Sequence, residues 1–144
     1  MSPHEARAQD TREWMAKAVE DLACAIVLSG AGHEGTALFH CQQCAEKSLK
    51  AFLTWHGRPF RKTHDLKEVG QACTEIDLSL AGPIRPAHLL TEYAWKLRYP
   101  GELYVLEEGE LNQGIALARS VLLEIQRRLP VEARDELPPD GDHE

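Results

Sequence analysis

The sequence predicts an all-α protein, an antiparallel up-and-down helical bundle of about five helices. In five stretches apolar residues recur every three or four positions, which is the period of an amphipathic helix. The stretches are joined by short connections that contain glycine and proline, as expected between neighbouring helices of a bundle. No segment of strand length alternates apolar and polar residues, so we expect no sheet. A chain of 144 residues fits a single domain of this kind.

The first two predicted helices carry the clearest apolar stripes. Helix one is expected to begin at Asp10, where Asp10 and Glu13 resemble a capping box, and to end at Gly30. Helix two is expected over residues 34–56, with Gly57 in a left-handed conformation at its end. The stripe of helix one consists of Trp14, Ala18, Leu22 and Ile26, and that of helix two contains Leu38, Ala45, Leu49 and Phe52.

Three further helices complete the predicted bundle. Helix three is expected over residues 64–76 with Thr63 as its N-cap, and residues 77–85 are interpreted as a linker. Helix four is expected over residues 86–99, because proline is favoured in the first turn of a helix. Helix five is expected over residues 108–129, with Pro130 as its end.

The organisation predicted from composition is a folded body, residues 1–130, followed by an acidic disordered tail, residues 131–144. The tail holds six acidic residues against Arg134 alone and few large apolar residues, a composition typical of disorder. No apolar run approaches the ~18 residues of a membrane span, and the opening residues lack the pattern of a signal peptide. The four cysteines are expected to be free thiols, so we predict a cytoplasmic protein that contacts no membrane.

Charge is distributed unevenly along the chain. The net charge is −7, but the tail contributes −5 and the body only −2. Within the body, residues 47–64 carry five cationic residues and no acidic residue, and we call this stretch the basic window. Its charge of +5 indicates a surface that meets an anion, whatever the total charge of the molecule. The cationic residues are Lys47, Lys50, Arg58, Arg61 and Lys62.

A polar strip runs along helix two, at spacings of three, four and seven residues that share a face. One interpretation is a solvated helix face on which Glu46 and Lys50 pair. The other is a polar pocket or interface, which is favoured because Gln42 lies beside the apolar stripe and a buried amide needs partners at both ends. The polar strip consists of Gln42, Gln43, Glu46, Lys47 and Lys50.

Two other patterns near the strip contain residue types that could bind a metal ion or a phosphate. Cys41 and Cys44 form a Cys-x-x-Cys pair, but they lie inside a helix and zinc needs four ligands, so buried thiols are favoured over a metal site. We expect no metal and no cofactor. Residues 62–66 place a lysine, a hydroxyl and an imidazole at a helix start, where backbone N–H groups can hold a phosphate. The alternative for this stretch is an ordinary capped helix.

Together these motifs resemble the HEPN (higher eukaryotes and prokaryotes nucleotide-binding) domain family over about residues 11–129. The resemblance implies an all-α bundle that usually dimerises and that associates with nucleotides or RNA. It also implies a small nucleotidyltransferase as partner, in a two-gene module that resembles a toxin–antitoxin pair. The motifs are Gln42-Gln43-x-x-Glu46-Lys47-x-x-Lys50-Ala51, Lys62-Thr63-His64-Asp65-Leu66 and Arg98-Tyr99-Pro100.

Some HEPN proteins are metal-independent ribonucleases, and their signature is an Arg and a His separated by four to six residues in a late helix. That signature is missing here, where residues 96–100 occupy the corresponding place. Arg58 and His64 match the spacing, but they lie in the loop between helices two and three. We therefore expect a non-catalytic binding module. The alternatives are a ribonuclease that uses His64 with Arg58 or Arg61, and a purely structural interaction bundle.

The predicted site lies between the polar strip and the start of helix three, and it binds the phosphate of a nucleotide or RNA. We also expect a homodimer, because several aromatic residues exceed what the inward stripes need. These aromatic residues are Trp55, Phe60, Trp95, Tyr99 and Tyr104. The residues assigned to the phosphate site are Gln43, Glu46, Lys47, Lys50, Arg61, Lys62, Thr63, His64 and Arg98.

Overall fold

The computed structural model describes residues 1–97, 99–100 and 105–136, and over these residues it is an all-α helical bundle without strands. The predicted fold class is confirmed. The α-helices are α1 (Pro3–Gly30), α2 (Glu34–Trp55), α3 (Leu66–Ile76), the short α4 (Ala81–Ile84) and α5 (Glu110–Arg127). Three 3₁₀ segments accompany them, at Leu78–Leu80, Arg85–Ala94 and Val131–Ala133. No helix among the described residues is long and apolar enough to cross a membrane.

Helix α1 begins seven residues before the predicted start at Asp10. Its capping box is formed by Ser2 and Glu5: the Ser2 hydroxyl accepts from the Glu5 N–H at 3.0 Å, and the Glu5 carboxylate accepts from the Ser2 N–H at 3.1 Å. Pro3 occupies the first helical turn, where its missing N–H costs no hydrogen bond. The prediction was wrong because two possible capping boxes precede the stripe and the earlier one is used.

The long helices α1 and α2 are antiparallel, as their short connection predicts. The rings of His4 and Trp55, from the start of α1 and the end of α2, lie 5.4 Å apart. Helix α5 runs in the same direction as α2, since a Cβ on Gly114 would lie 2.5 Å from Leu38 and the Cys44 thiol donates to the Ala118 carbonyl. Helix α1 is therefore antiparallel to both α2 and α5, whereas α2 and α5 are parallel to each other.

The chain returns along α2 through a non-helical stretch, residues 57–65, which we call the return segment. Gly57 ends α2 with φ +66°, as predicted. Helix α3 then begins at Leu66, two residues later than expected, because Asp65 is the N-cap and accepts from the Lys67 N–H at 2.9 Å. The predicted cap, Thr63, instead accepts from the Asp65 N–H at 3.1 Å, within the return segment.

The predicted linker and fourth helix also differ from the structure. Residues 78–84 are helical, since Asp77 caps the segment Leu78–Leu80 by accepting from the Ser79 N–H at 3.0 Å. The predicted fourth helix is a 3₁₀ segment, Arg85–Ala94. Pro83 and Pro86 each lack an N–H, which interrupts the α-helical hydrogen-bond pattern over this stretch.

The folded body extends beyond Pro130, where the disordered tail was expected to begin. Val131–Ala133 forms a 3₁₀ turn that packs on α1, and Ala133 is 0% exposed. The Arg134 side chain donates to the Leu129 carbonyl at 2.7 Å, and Gln126 donates to the Asp135 carbonyl. The composition of the stretch did not predict this packing, because the contact depends on one small buried residue, Ala133. Residues 137–144 of the expected tail lie outside the described residues.

Candidate functional site

The polar strip of α2 centres on the carboxylate of Glu46, which is 3% exposed. Its Oε2 accepts from the Lys50 ammonium at 2.9 Å, and its Oε1 accepts from Nδ1 of His64 at 2.8 Å and from Nε2 of Gln42 at 3.0 Å. Each hydrogen bond to a buried carboxylate offsets part of the cost of removing its charge from water. Glu46 is therefore a fully engaged anion inside the protein.

The same side chains fasten the return segment to α2. Gln42 Nε2 donates to the His64 carbonyl at 3.0 Å, and Lys50 Nζ donates to the Thr63 carbonyl at 3.2 Å. Residues 42, 46 and 50 are four positions apart, so they project from one face of the helix toward the segment. Gln43 completes the set by donating to Gln42 Oε1 at 2.7 Å. The structure thus supports the interface interpretation of the strip, with the protein's own return segment as the other side.

Lys50 is enclosed by this arrangement. It is 6% exposed, and its ammonium lies 5.8 Å from the ring centroid of Trp14 and 5.4 Å from that of Phe60. Cation–π contacts of this length stabilise a desolvated ammonium. The charge of Lys50 is consequently neutralised by Glu46 within the fold and does not face a ligand.

The pKa of Glu46 reflects two opposing causes. Burial raises it, but the hydrogen bonds from Lys50, His64 and Gln42 outweigh burial and hold the pKa below its ordinary value of 4.5. The carboxylate is therefore ionised at neutral pH and keeps its role as acceptor for all three donors.

Lys47 belongs to a separate cluster on the α1–α2 face. Its ammonium bonds to Oδ2 of Asp21 at 2.7 Å, and Nδ1 of His40 bonds to Oδ1 of the same carboxylate at 2.7 Å. Asp21 is 7% exposed. The sequence reasoning missed Asp21 and His40, although one signal was present: Asp21 interrupts the apolar face of α1 directly before Leu22, where an acidic residue needs a buried partner.

The basic window is largely neutralised in the folded protein, and the sequence indicated only one of the ion pairs responsible, Glu46–Lys50. Four of its five cationic residues pair with acidic residues, and Lys62 alone has no ion-pair partner among the described residues. The Arg58 guanidinium bonds to Glu75 at 2.7 Å, and Arg61 makes two bonds to Glu68, at 2.7 and 2.6 Å. All the acidic partners lie outside the window, so a count of charges within 18 consecutive residues could not include them.

An outward face remains on the return segment, formed by Lys62, Thr63 and His64. Lys62 is exposed, and the His64 side chain is 61% exposed although its Nδ1 is bonded to Glu46. This bond orients the imidazole and leaves Nε2 directed to solvent. The arrangement places an imidazole, a hydroxyl and an exposed ammonium on one surface: the Thr63 hydroxyl and the Lys62 ammonium can donate hydrogen bonds to an anion, and Nε2 of His64 can accept one from a ligand.

The structure therefore brings together only part of the predicted phosphate site. Glu46, Lys50, Thr63 and His64 meet, with Gln43 beside them, but the first two are buried. Lys47 is bonded to Asp21, Arg61 is bonded to Glu68, and Arg98 lies outside the described residues.

Cys41 and Cys44 are buried thiols of the helix interior. Burial raises the pKa of Cys41 to about 12, and that of Cys44 is raised as well, first by burial and then by the neighbouring charges of Cys41 and Asp21. Among the residues that the structure describes, no three His, Cys, Asp or Glu side chains are grouped closely enough to hold a metal ion.

A family model, the HEPN domain, matches residues 11–128 of the chain. The chain belongs to the HEPN domain family. The match includes α2, the return segment and α3, so the Glu46 network lies within the HEPN domain. Comparison of the chain with curated proteins and with solved structures gave no significant match.

Proposed function

We propose that this HEPN protein is a non-catalytic module that binds the phosphate of a nucleotide or of RNA on the outward face of the return segment. The observation that carries the proposal is the contrast between the buried hydrogen bonds around Glu46 and the exposed side chains next to them. Gln42 and Lys50, which both bond to Glu46, hold the backbone carbonyls of residues 64 and 63, while the Lys62 ammonium and the His64 ring remain exposed. A phosphate contacted there meets a backbone that is already ordered, so binding costs little further ordering of the protein.

The phosphate contacts follow from the chemistry of the three side chains of the outward face. Lys62 supplies a point charge without a competing carboxylate among the described residues, Thr63 supplies a directed hydrogen bond, and Nε2 of His64 accepts one from a hydroxyl group of the ligand. Electrostatic contacts of this kind depend on salt, and the slope of log affinity against log salt reports the number of phosphates neutralised. Lys50 lies beneath this surface and Lys47 lies in the separate Asp21 cluster, so both are structural cations.

A binding assay with fluorescently labelled RNA tests the proposal. Lys62→Glu should lower the affinity at low salt by about tenfold or more, since it replaces attraction by repulsion. Lys17→Glu is the matched control, because Lys17 is an exposed lysine of α1 and the change in net charge is identical. If both variants lose the same affinity, the effect is one of total charge and the proposed surface is wrong.

One observation favours a second function, ribonuclease activity. The carboxylate–imidazole pair of Glu46 and His64 orients a ring nitrogen toward solvent, as general acid–base catalysis requires. Arg58 or Arg61 would stabilise the phosphate after release from Glu75 or Glu68. Incubation of labelled RNA with the protein in EDTA decides the question. Cleavage that disappears in His64→Ala would overturn the non-catalytic proposal, and no cleavage supports it.

We infer also that the protein forms a homodimer, as HEPN domains often do. The structure changes the argument from aromatic residues: Trp55 and Phe60 pack within the monomer against His4 and Trp14, and Tyr104 lies outside the described residues. Trp95, which is 49% exposed, and Tyr99, which is 59% exposed, remain as candidates for interface anchors, and Leu89, which is 52% exposed, is a further one. A monomeric mass in light scattering at micromolar concentration would contradict the dimer.

The proposed partner is a small nucleotidyltransferase in a toxin–antitoxin-like pair, on the basis of the family resemblance. A direct check is the identity of the neighbouring gene, which should encode such an enzyme. Co-expression of the two proteins should then give a complex that survives gel filtration. Separate elution of the two proteins would contradict the partnership.

A further inference from the structure

A cleft of about 450 Å³ opens on a different face of α3 from the one that carries the Arg58 and Arg61 ion pairs. It lies between α3, α4 and the beginning of the 3₁₀ segment Arg85–Ala94, and no residue of the polar strip or the return segment lines it. Its floor is apolar and includes Leu66, Gly70 and Ile84, all buried. A cavity of this size is typical of small-molecule sites, which range from roughly 300 to 1,000 Å³.

The rim of the cleft carries three basic side chains, Lys67, Arg85 and His88, and no acidic residue lines it. All three are exposed, and none forms an ion pair with a residue that the structure describes. Nδ1 of His88 donates to the Arg85 carbonyl at 2.7 Å, which leaves Nε2 available to a ligand. The net charge of the protein is −7, and four cationic residues of the basic window are paired with acidic residues. The rim differs from the basic window because its cationic side chains form no ion pair with a described residue.

Helix α3 carries its paired acidic residues on one face and a lysine on the face of the cleft. Glu68 and Glu75 bond to Arg61 and Arg58 on one side, whereas Lys67 lies with Gly70 on the side of the cleft. The glycine has no side chain, so the floor between α3 and α4 stays open above Ile84. The local sequence thus produces an apolar depression whose charged edge residues, Lys67 and Arg85, are both cationic.

We propose that this cleft is a second ligand site, which binds a small amphiphilic anion. The apolar body of the ligand lies on Leu66, Gly70 and Ile84, and its single anionic group is held by Lys67 and Arg85. Burial of apolar ligand surface provides affinity, and the cationic rim selects for the anionic group and its orientation. The cleft shares no lining residue with the outward face of the return segment, so the site is independent of the proposed function.

The test is a titration with 1-naphthyl phosphate, which combines a rigid apolar body with one anionic group, monitored by NMR chemical shifts. We expect saturable binding with shifts at the amides of Gly70 and Ile84. Inorganic phosphate has the anionic group without the apolar body, and 1-naphthol has the apolar body without the anionic group. Each should bind at least about tenfold more weakly than 1-naphthyl phosphate. The proposal is overturned by equal affinities for the three probes, by absent binding, or by shifts centred elsewhere.

Two charge reversals of equal size separate this proposal from the previous one. Arg85→Glu should weaken 1-naphthyl phosphate binding by about tenfold or more and leave RNA affinity as it is, whereas Lys62→Glu should do the reverse. Arg85 is exposed, so the variant keeps its fold, and Lys67→Glu provides a second reversal at the same rim. Unchanged probe affinity in both rim variants would refute the cleft site and leave the return-segment proposal intact.

Discussion

The carboxylate of Glu46 and the imidazole of His64 share a 2.8 Å hydrogen bond, although the two residues lie 18 positions apart. One partner is buried in α2 and the other is largely exposed on the return segment. The bond therefore connects the interior of the bundle to its surface. Because Gln42 and Lys50 bond to the same segment, the position of the exposed His64 depends on the integrity of a buried ion pair.

Removal of one member of that ion pair should destabilise the protein strongly. Glu46→Gln leaves the Lys50 ammonium buried without a carboxylate, and breaking a buried pair in this way costs about 3–5 kcal/mol. We expect the loss in the free energy of unfolding measured with urea. The matched control is Glu92→Gln, which breaks the exposed i,i+4 pair with Lys96 and should cost at most about 0.5 kcal/mol.

A double variant distinguishes charge pairing from simple packing. Glu46→Gln together with Lys50→Met leaves no buried charge, so its cost should be smaller than the sum of the two single costs by about 1–3 kcal/mol. Additive costs would mean that Glu46 and Lys50 act independently, contrary to the 2.9 Å contact.

The stability of the protein should depend on pH through Glu46. Its folded pKa lies below its ordinary value of 4.5, so the unfolded chain takes up the proton first as pH falls. The stability that Glu46 contributes is therefore complete above pH 4.5 and is lost as pH falls through the folded pKa. Urea unfolding between about pH 7 and pH 3 should show a shallower decline in Glu46→Gln than in the wild type, and parallel profiles would contradict the assignment.

The fold class could be predicted from sequence because helical periodicity is a local property. The predicted bounds of helix α2 agree with the structure to within one residue, since Gly57 gives a clear end signal. The start of α1 was misplaced because Ser2 and Asp10 both offer a cap and the choice depends on packing. The 3₁₀ geometry of Arg85–Ala94 was missed because helical periodicity does not distinguish it from an α-helix.

The candidate site was only partly predictable for a related reason. Spacing places Glu46 and Lys50 on one face, but it does not show that the return segment covers them. Lys47, three residues from Lys50, was expected to share their site and instead bonds to Asp21 of α1. Partners from other helices decide which cations are free, and one-dimensional charge counts do not contain that information. The cationic rim of the α3–α4 cleft was missed for the same reason.

The four thiols should differ sharply in reactivity toward a disulfide reagent at about pH 8. Burial raises the pKa values of Cys41, Cys44 and Cys73, and the thiolate is the reacting form. Cys24 is only partly buried. We expect one fast thiol in the native protein, four after unfolding, and no fast thiol in Cys24→Ser. A second fast thiol in the native protein would show that the Cys41–Cys44 pair is accessible.

Gly114 should be required for the close contact of α5 with α2. A Cβ at this position would lie 2.5 Å from Cδ2 of Leu38, inside the core. Gly114→Ala should lower the free energy of unfolding by about 1–3 kcal/mol, although alanine is the better helix former. Gly30→Ala is the control, since a Cβ there would meet no neighbouring atom within 4 Å and its φ is not positive. Equal stability of the two variants would argue against this packing.

Two truncations should separate the packed and acidic parts of the C-terminal stretch. Truncation after Pro130 removes Ala133 from the core and the Arg134 bond to the Leu129 carbonyl, so it should lower the melting temperature. Truncation after Glu136 keeps both contacts and should leave the melting temperature within about 2 °C of the wild type. If truncation after Pro130 left the melting temperature as high as truncation after Glu136, residues 131–136 would add nothing to stability.

The truncation after Glu136 also tests whether the acidic residues oppose nucleic-acid binding. It removes Asp140, Asp142 and Glu144 without removing a lysine or arginine. These carboxylates are tethered to the domain, so they compete with phosphate for Lys62 at a high effective concentration. RNA affinity should rise on truncation at about 50 mM salt, and the gain should shrink at about 500 mM because screening weakens the competition. A gain that persists at high salt would point to a steric effect of the tail, and an unchanged affinity would show that its charges do not reach the return segment.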